Sequence, residues 1–285
     1  MFWNNIKIAL RNLRKNKVFA AINIDGLAIG LTIYVFGGLI IKYESEHDTF
    51  FENADRVYTL GSVASPNLNV GINQIEAVWT AVGPILETEL DDIEAVARTL
   101  VREKLLTIDD DKFYESLRAA DPAFLEIFDL DFVHGDTRAL DDPTGIIISE
   151  SAALKFFNST DVMGEVITFD NAHDFHVTGV FADVPKNSHF HSSLISKAAL
   201  DLVIPMDGLT RVEGFDLNGE WDNLSFGNMT YVMLPASLDQ AWLESQLDGI
   251  YDRHYSDEAK DVIASIYARP LPNANLGVWD AVSYT

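Results

Sequence analysis

The chain has 285 residues, a formal charge of −24, 48% apolar residues and no cysteine. Its length exceeds one ordinary domain of roughly 100–200 residues, so two lobes or a domain with an anchor are expected. So acidic a chain repels nucleic-acid phosphates instead of releasing their counterions, and without thiols it forms no disulfides and does no cysteine chemistry.

The charge is unevenly spread. Up to Lys17 there are five basic residues, Lys7, Arg11, Arg14, Lys15 and Lys17, and no acidic one. From Glu44 onward, 14 basic residues face 43 acidic ones, which leaves that region near −29. Between them, residues 18–42 form an apolar run whose first acidic residue is Asp25. A span of the hydrocarbon core needs roughly 20 such residues, so the run predicts a transmembrane helix. A cleaved leader would have a shorter apolar core ending at a small-residue site, whereas this run ends in Lys42, Tyr43 and Glu44. Cations flanking a span stay on the cytoplasmic side, so Lys7, Arg11, Arg14, Lys15 and Lys17 orient the N-terminus inward and the acidic bulk outward.

Ahead of the span, Trp3, Ile6, Leu10 and Leu13 recur at helical spacing opposite Lys7, Arg11 and Arg14. That pattern fits an amphipathic helix along the inner leaflet, drawn to anionic lipid, or a simple extension of the span. Within the span, Asn23 and Asp25 are costly in lipid and face protein, water or the near interface. Gly26 and Gly30 form a G-x-x-x-G spacing that permits close packing of partner helices.

Beyond the span, alternation near residues 56–60 predicts a strand. Residues 71–90 carry Ile72, Ile75, Val78, Trp79, Val82, Ile85 and Leu86 at helical spacing and predict one amphipathic helix. Residues 95–108 and 112–120 predict a hairpin turning at Asp109, Asp110 and Asp111. A short helix is expected in PAFLEIFDL, and a buried strand GIIIS ends at Ser149, an N-cap for the helix ESAALKFF. Strands follow at residues 165–170 and 175–184. Residues 207–223, rich in Gly, Asp and Asn, predict a loop, and NMTYVMLP a strand. Ser237 and Gln240 make an S-x-x-Q capping box before a helix presenting Leu243, Leu247, Ile250, Tyr251 and His254, and residues 261–269 close the series as a strand. Helices mixed with hairpins indicate an α+β class in two lobes.

Signatures of catalysis are missing. There is no G-x-x-x-x-G-K-[ST] to cradle nucleotide phosphates and no G-x-S-x-G elbow. His173-x-x-His176 and His189-x-His191 are the sharpest metal suggestion, but a turn at His173 and strand alternation at His189 and His191 explain them better. The chain is therefore read as no enzyme, with no catalytic residue, cofactor or metal.

The run IKIALRNLRKNKVFAAINIDGLAIGLT resembles the opening of MacB-type (FtsX-like) ABC transporter permeases, and FENADRVYTL the segment after their first span. AADPAFLEIFDLDFVHGD, GIIISESAALKFF, VMGEVITFD, FHVTGVFADVPKNSHF and NMTYVMLP follow the order of that family's periplasmic core domain. The resemblance implies a basic cytoplasmic segment (1–17), a transmembrane helix (18–42) and an outer domain (43–285). Within the outer domain, segments 43–120 and 225–285 flank an inserted subdomain, 121–224. It also implies a permease subunit, or the N-terminal part of one, in a bacterial inner membrane, coupling a separate cytoplasmic ATPase to export or mechanotransmission. Its other partners would be membrane lipid and further transmembrane helices or a second permease copy. The resembling permeases continue into three more spans, while this chain stops at VWDAVSYT. The alternative reading is a membrane-tethered extracytoplasmic binding or adaptor domain.

Overall fold

A computed structural model describes residues 2–66, 73–191, 199–219, 221, 224 and 227–276. The chain divides into two compact units, Met1–Glu46 and His47–Thr285.

The first unit is two helices, α1 (Phe2–Lys15) and α2 (Lys17–Ser45). Asn16 interrupts them with φ −115° and ψ 59°, so α1 does not run on as a continuation of α2. None of the 29 residues of α2 is buried. Among the described residues it is the one helix long and apolar enough to cross a membrane.

The second unit is α+β, as the mixed pattern implied. Its first half runs β1 (Val57–Ala64), β2 (Gln74–Ile75), α3 (Val82–Glu89), β3 (Ala95–Ile108), β4 (Asp111–Ala120) and α4 (Phe124–Phe128). Next come β5 (Phe132–His134), β6 (Gly145–Ser149), α5 (Glu150–Phe157), β7 (Val166–Phe169), β8 (His173–Phe181) and a 3-10 turn at His189–His191. The last part holds β9 (Leu202–Pro205), α6 (Met206–Glu213), β10 (Met229–Met233), α7 (Gln240–His254), α8 (Asp257–Val262), β11 (Ile263–Pro270) and a 3-10 turn at Leu271–Leu276.

One sheet passes through the whole unit in the order β11-β1-β10-β3-β4-β9-β6-β8-β5, with β2 beside β1 and β7 bridging β3 and β8. Strands from residues 121–224 thus occupy one end, and strands from the flanking segments the other. Both faces are covered, which is why β6 and β10 are apolar or buried at every position rather than alternating. Alternation instead sorts residues between faces. Met229, Tyr231 and Met233 join one core with Ala95, Ala97, Phe124, Phe128 and Phe190 beneath α4. On the opposite face the core is split in two. One part lies under α3 and α7 with Leu86, Val96, Val232, Leu243 and Leu247, and the other under α5 and α6 with Leu106, Ile146, Ile148, Ala152 and Leu209.

The 95–120 hairpin forms as expected, with Ile108 opposite Asp111 and Asp109 at φ 51°. Three local expectations are corrected. The helix expected over 71–90 is only α3: Ile75 pairs in β2, Val78 and Trp79 are buried outside any helix, and Ile72 lies outside the described residues. Pro84 is the reason, since its missing N–H and its ring tolerate no helical turn before the first one. The loop expected over 207–223 begins instead as α6, ending at Gly214 with φ 77°. Gly208 is a packing residue there, because a Cβ would stand 2.8 Å from the Pro143 carbonyl oxygen and 2.9 Å from Phe175. Helix α7 is capped by Asp239, which accepts from the Trp242 N–H at 2.9 Å, and not by Ser237. Gln240 donates to the Ala268 carbonyl at 3.0 Å instead of closing a capping box.

Ser149 caps α5 as expected, its Oγ accepting from the Ala152 N–H at 3.1 Å and donating to Asp201 at 2.9 Å. Ser149→Ala is expected to lower the stability of the outer unit by about 1–2 kcal/mol. Melting in detergent solution checks this, and an unchanged transition would contradict it.

Candidate functional site

The residues singled out by sequence lie in the first unit. Lys7, Arg11, Arg14 and Lys15 are exposed along α1, and Lys17 opens α2. Asn23, Asp25, Gly26 and Gly30 are all exposed on α2, and a Cβ at either glycine would meet nothing within 4 Å. Asn23, Gly26 and Gly30 share one face by their three- and four-residue spacing, while Asp25 stands about 100° round from Gly26.

The outer unit holds a polar site that composition did not disclose. Asp48 is the third residue after Ser45, where α2 ends, and it has no exposed side-chain surface. Its backbone takes φ 55°, a left-handed conformation that Asp tolerates better than most side chains. Its N–H donates to the Asn187 carbonyl at 3.0 Å. Its carboxylate accepts from Ser188 Oγ at 2.6 Å and from the His189 N–H at 3.0 Å. His189 Nδ1 stands 2.9 Å from Asp48 Oδ1, at ion-pair distance but out of line for a ring N–H bond. On its other side, His189 Nε2 lies 2.8 Å from the Tyr231 hydroxyl, which reaches Met229 Sδ at 3.3 Å. A line of polar groups therefore runs from the start of the outer unit to β10, in the body of the sheet.

Aromatic packing seals this line. Phe128 sits 4.9 Å from Phe51, 5.0 Å from Phe190 and 4.8 Å from Tyr231 between ring centroids. Arg118, fully buried on β4, holds its guanidinium 5.1 Å above Phe190 and donates to Thr99 Oγ1 at 3.1 Å. Burial alone would raise the Asp48 pKa, yet the His189 charge and the hydrogen bonds from His189 and Ser188 outweigh it and hold the carboxyl below its ordinary value. Burial pushes the Tyr231 hydroxyl up, which keeps it neutral, and pulls Arg118 down. With Asp48, His189 and Tyr231 sealed from solvent, the arrangement holds the segment that follows α2 against the turn at 188–189 and β10.

The four histidines weighed as ligands do not converge. His189 and His191 lie in a 3-10 turn, not on a strand, and His191 Nε2 is 3.0 Å from the Val184 carbonyl. On β8, His176 pairs with Asp142 at 3.3 Å, and His173 stands opposite Phe169. Among the described residues no group of three or more His, Asp or Glu is placed to hold a metal.

Residues 20–250 match the model of the MacB-like periplasmic core domain. The chain belongs to that family. Solved structures share its fold. A domain of a protein described as a permease, from Porphyromonas gingivalis, aligns at 21% identity and a TM-score of 0.60, covering 78% of this chain and 92% of its own. The periplasmic region of MacB from Actinobacillus actinomycetemcomitans aligns at 12% and 0.53, covering 81% and 95%. The extracellular domain of the noncanonic ABC-type transporter YknZ from Gram-positive bacteria aligns at 16% and 0.51, covering 75% and 99%. No curated protein matches the chain. This is thus a MacB-like periplasmic core domain carried on an apolar helix, and Asp48 is where the core domain takes up the chain arriving from that helix.

For a carboxyl whose folded pKa lies below its ordinary value of 3.8, the stabilisation is present above that value and is lost as pH falls through the folded one. Asp48→Asn in the MacB-like domain is expected to cost about 3 kcal/mol at neutral pH, because it removes the buried carboxylate that accepts from Ser188 Oγ and the His189 N–H and faces the His189 ring. The gap to the parent should narrow below the carboxylate range. Melting curves of both proteins from pH 7 to about 3 check this, and a gap independent of pH would contradict it.

Proposed function

We propose that the chain is a permease subunit, or the N-terminal part of one, of an ABC-type export or mechanotransmission complex. A separate cytoplasmic ATPase drives it, and movement of α2 is passed to the outer domain. The observation that carries this reading is Asp48: a family domain gripped in its buried core three residues past an apolar helix is built to be pulled. A loose linker at that point would dissipate displacement.

The exposed cations of α1 and Lys17 support a cytoplasmic N-terminus, a domain on the periplasmic side and residence in the bacterial inner membrane. The break at Asn16 frees α1 to lie along anionic lipid. Gly26 and Gly30 offer a close-approach face to further transmembrane helices or to a second copy. ATP is bound and hydrolysed by the partner, and no catalytic role falls to this chain.

Because the chain has no cysteine, single cysteines report its topology without background. Ser245→Cys on α7 should react with a membrane-impermeant maleimide in intact spheroplasts, while Asn4→Cys on α1 should react only after lysis. Labelling of Asn4→Cys alone in intact spheroplasts would contradict the orientation. Affinity purification of the same protein should bring down a nucleotide-binding ATPase. Recovery with a periplasmic protein and no ATPase would contradict the permease reading and favour a tethered adaptor.

A further inference from the structure

Strand β4 is paired unequally on its two sides. With β3 it pairs along its whole length, from Asp111 opposite Ile108 to Ala120 opposite Thr99. On the other side it pairs only with β9, in parallel, from Arg118–Val203 to Ala120–Pro205. Ahead of β9 the chain keeps to the β6 side, where the Asp201 carbonyl accepts from the Ser149 N–H and the Asp201 carboxylate from Ser149 Oγ, both at 2.9 Å. Among the described residues no strand pairs with 111–117 on that second side.

A groove of about 340 Å³ opens along this edge, with Tyr114, Glu115 and Ser116 of β4 on one wall and Lys155 and Phe156 of α5 on the other. Alternation puts Glu115 on the face of Phe113 and Leu117, which pack in the core under α5 and α6, and puts Tyr114 and Ser116 on the opposite face. A groove bounded by both faces of one strand has the shape of a missing neighbour strand, not of a hollow in a single surface. Tyr114 is 82% exposed, more than any other large hydrophobic side chain among the described residues, beside a row of backbone groups that sheet edges ordinarily cover or blunt. The groove is also acidic. Glu103, opposite Ser116 on β3, joins Glu115 and Asp201 in lining it, against the single cation Lys155, which already donates to Glu115 at 2.5 Å.

We propose that the β4 edge is a docking site for an extended segment of a partner polypeptide with basic side chains at alternate positions, which adds to the sheet as a strand beside 112–117. Backbone N–H and C=O groups of β4 supply affinity without regard to sequence, and the side chains of the groove select among segments. Alternate residues of the added strand fall on the Tyr114 face, where a Lys or Arg meets the Tyr114 ring and the Glu103 carboxylate. The residues between them fall on the α5 side, against Phe156. An acidic segment is repelled by Glu103, Glu115 and Asp201, and a Pro-containing one brings too few N–H groups to complete the ladder. The site belongs to the outer domain and stands whether or not an ATPase drives the chain.

Three synthetic octapeptides test this on the full chain in lipid nanodiscs: one alternating Lys with Val, its counterpart with Glu for Lys, and the Lys peptide with Pro in place of its central Val residues. The Lys–Val peptide should bind and slow hydrogen exchange about tenfold at the N–H groups of 112–117 that point away from β3, with Val232 unchanged. The Glu and Pro peptides should bind at least about tenfold more weakly. Tyr114→Ala, at an exposed position, should weaken the Lys–Val peptide about fivefold. Equal binding of the Lys–Val and Pro peptides would reduce the effect to charge attraction and overturn the proposal. So would failure of the Lys–Val peptide to bind, or slow exchange at every N–H of 112–117 in the protein alone, which would mean that the edge is already paired from within the chain.

Discussion

The structure turns on a buried carboxylate. Bringing a charge out of water costs several kcal/mol unless hydrogen bonds and an opposite charge replace the solvent, so Asp48 dictates what surrounds it. Ser188 and the His189 backbone supply donors, the imidazole stands 2.9 Å from the carboxylate, and Tyr231 holds the far side of the ring. Phe51, Phe128 and Phe190 then keep water out, which makes each of those contacts stronger. The outcome is a buried, hydrogen-bonded seat at the first residues of the outer unit, with β10 at its base.

Around that seat the domain follows from covering a sheet on two sides. Residues of β3, β6, β9 and β10 alternate between an undivided core beneath α4 and a divided one beneath the longer helices. Buried guanidinium groups stand on both faces near the β4–β9 ladder, Arg118 on the first and Arg98 on the second. Apolar packing supplies most of the stability on either face.

The sequence made some of this readable and hid the rest for physical reasons. The hairpin of β3 and β4 and the Ser149 cap depend on neighbours within a few residues, and they stand where local patterns put them. Val78, Trp79, Val82 and Leu86 are all buried as their spacing suggested, yet Pro84 breaks the single helix that the spacing implied. Gly208 looked like a loop residue because its packing against Phe175 is invisible from its neighbours in sequence. The cations of α1 were legible because charge needs no partner to be counted. Asp48 was not, since His189 lies 141 positions away and nothing in HDTFFENAD marks its carboxylate as buried.

The chain belongs to the MacB-like family, and the proposal that movement passes from its helix to its sheet rests on the seat at Asp48. The most direct test is residue-resolved hydrogen exchange on the intact protein in a lipid bilayer. The backbone N–H groups of Asp48 and His189, bonded to Asn187 and to the Asp48 carboxylate, should exchange as slowly as that of Val232 in β10. Rapid exchange at Asp48 and His189 while Val232 stays protected would mean that the segment after α2 opens on its own, and a segment that opens on its own cannot transmit a pull.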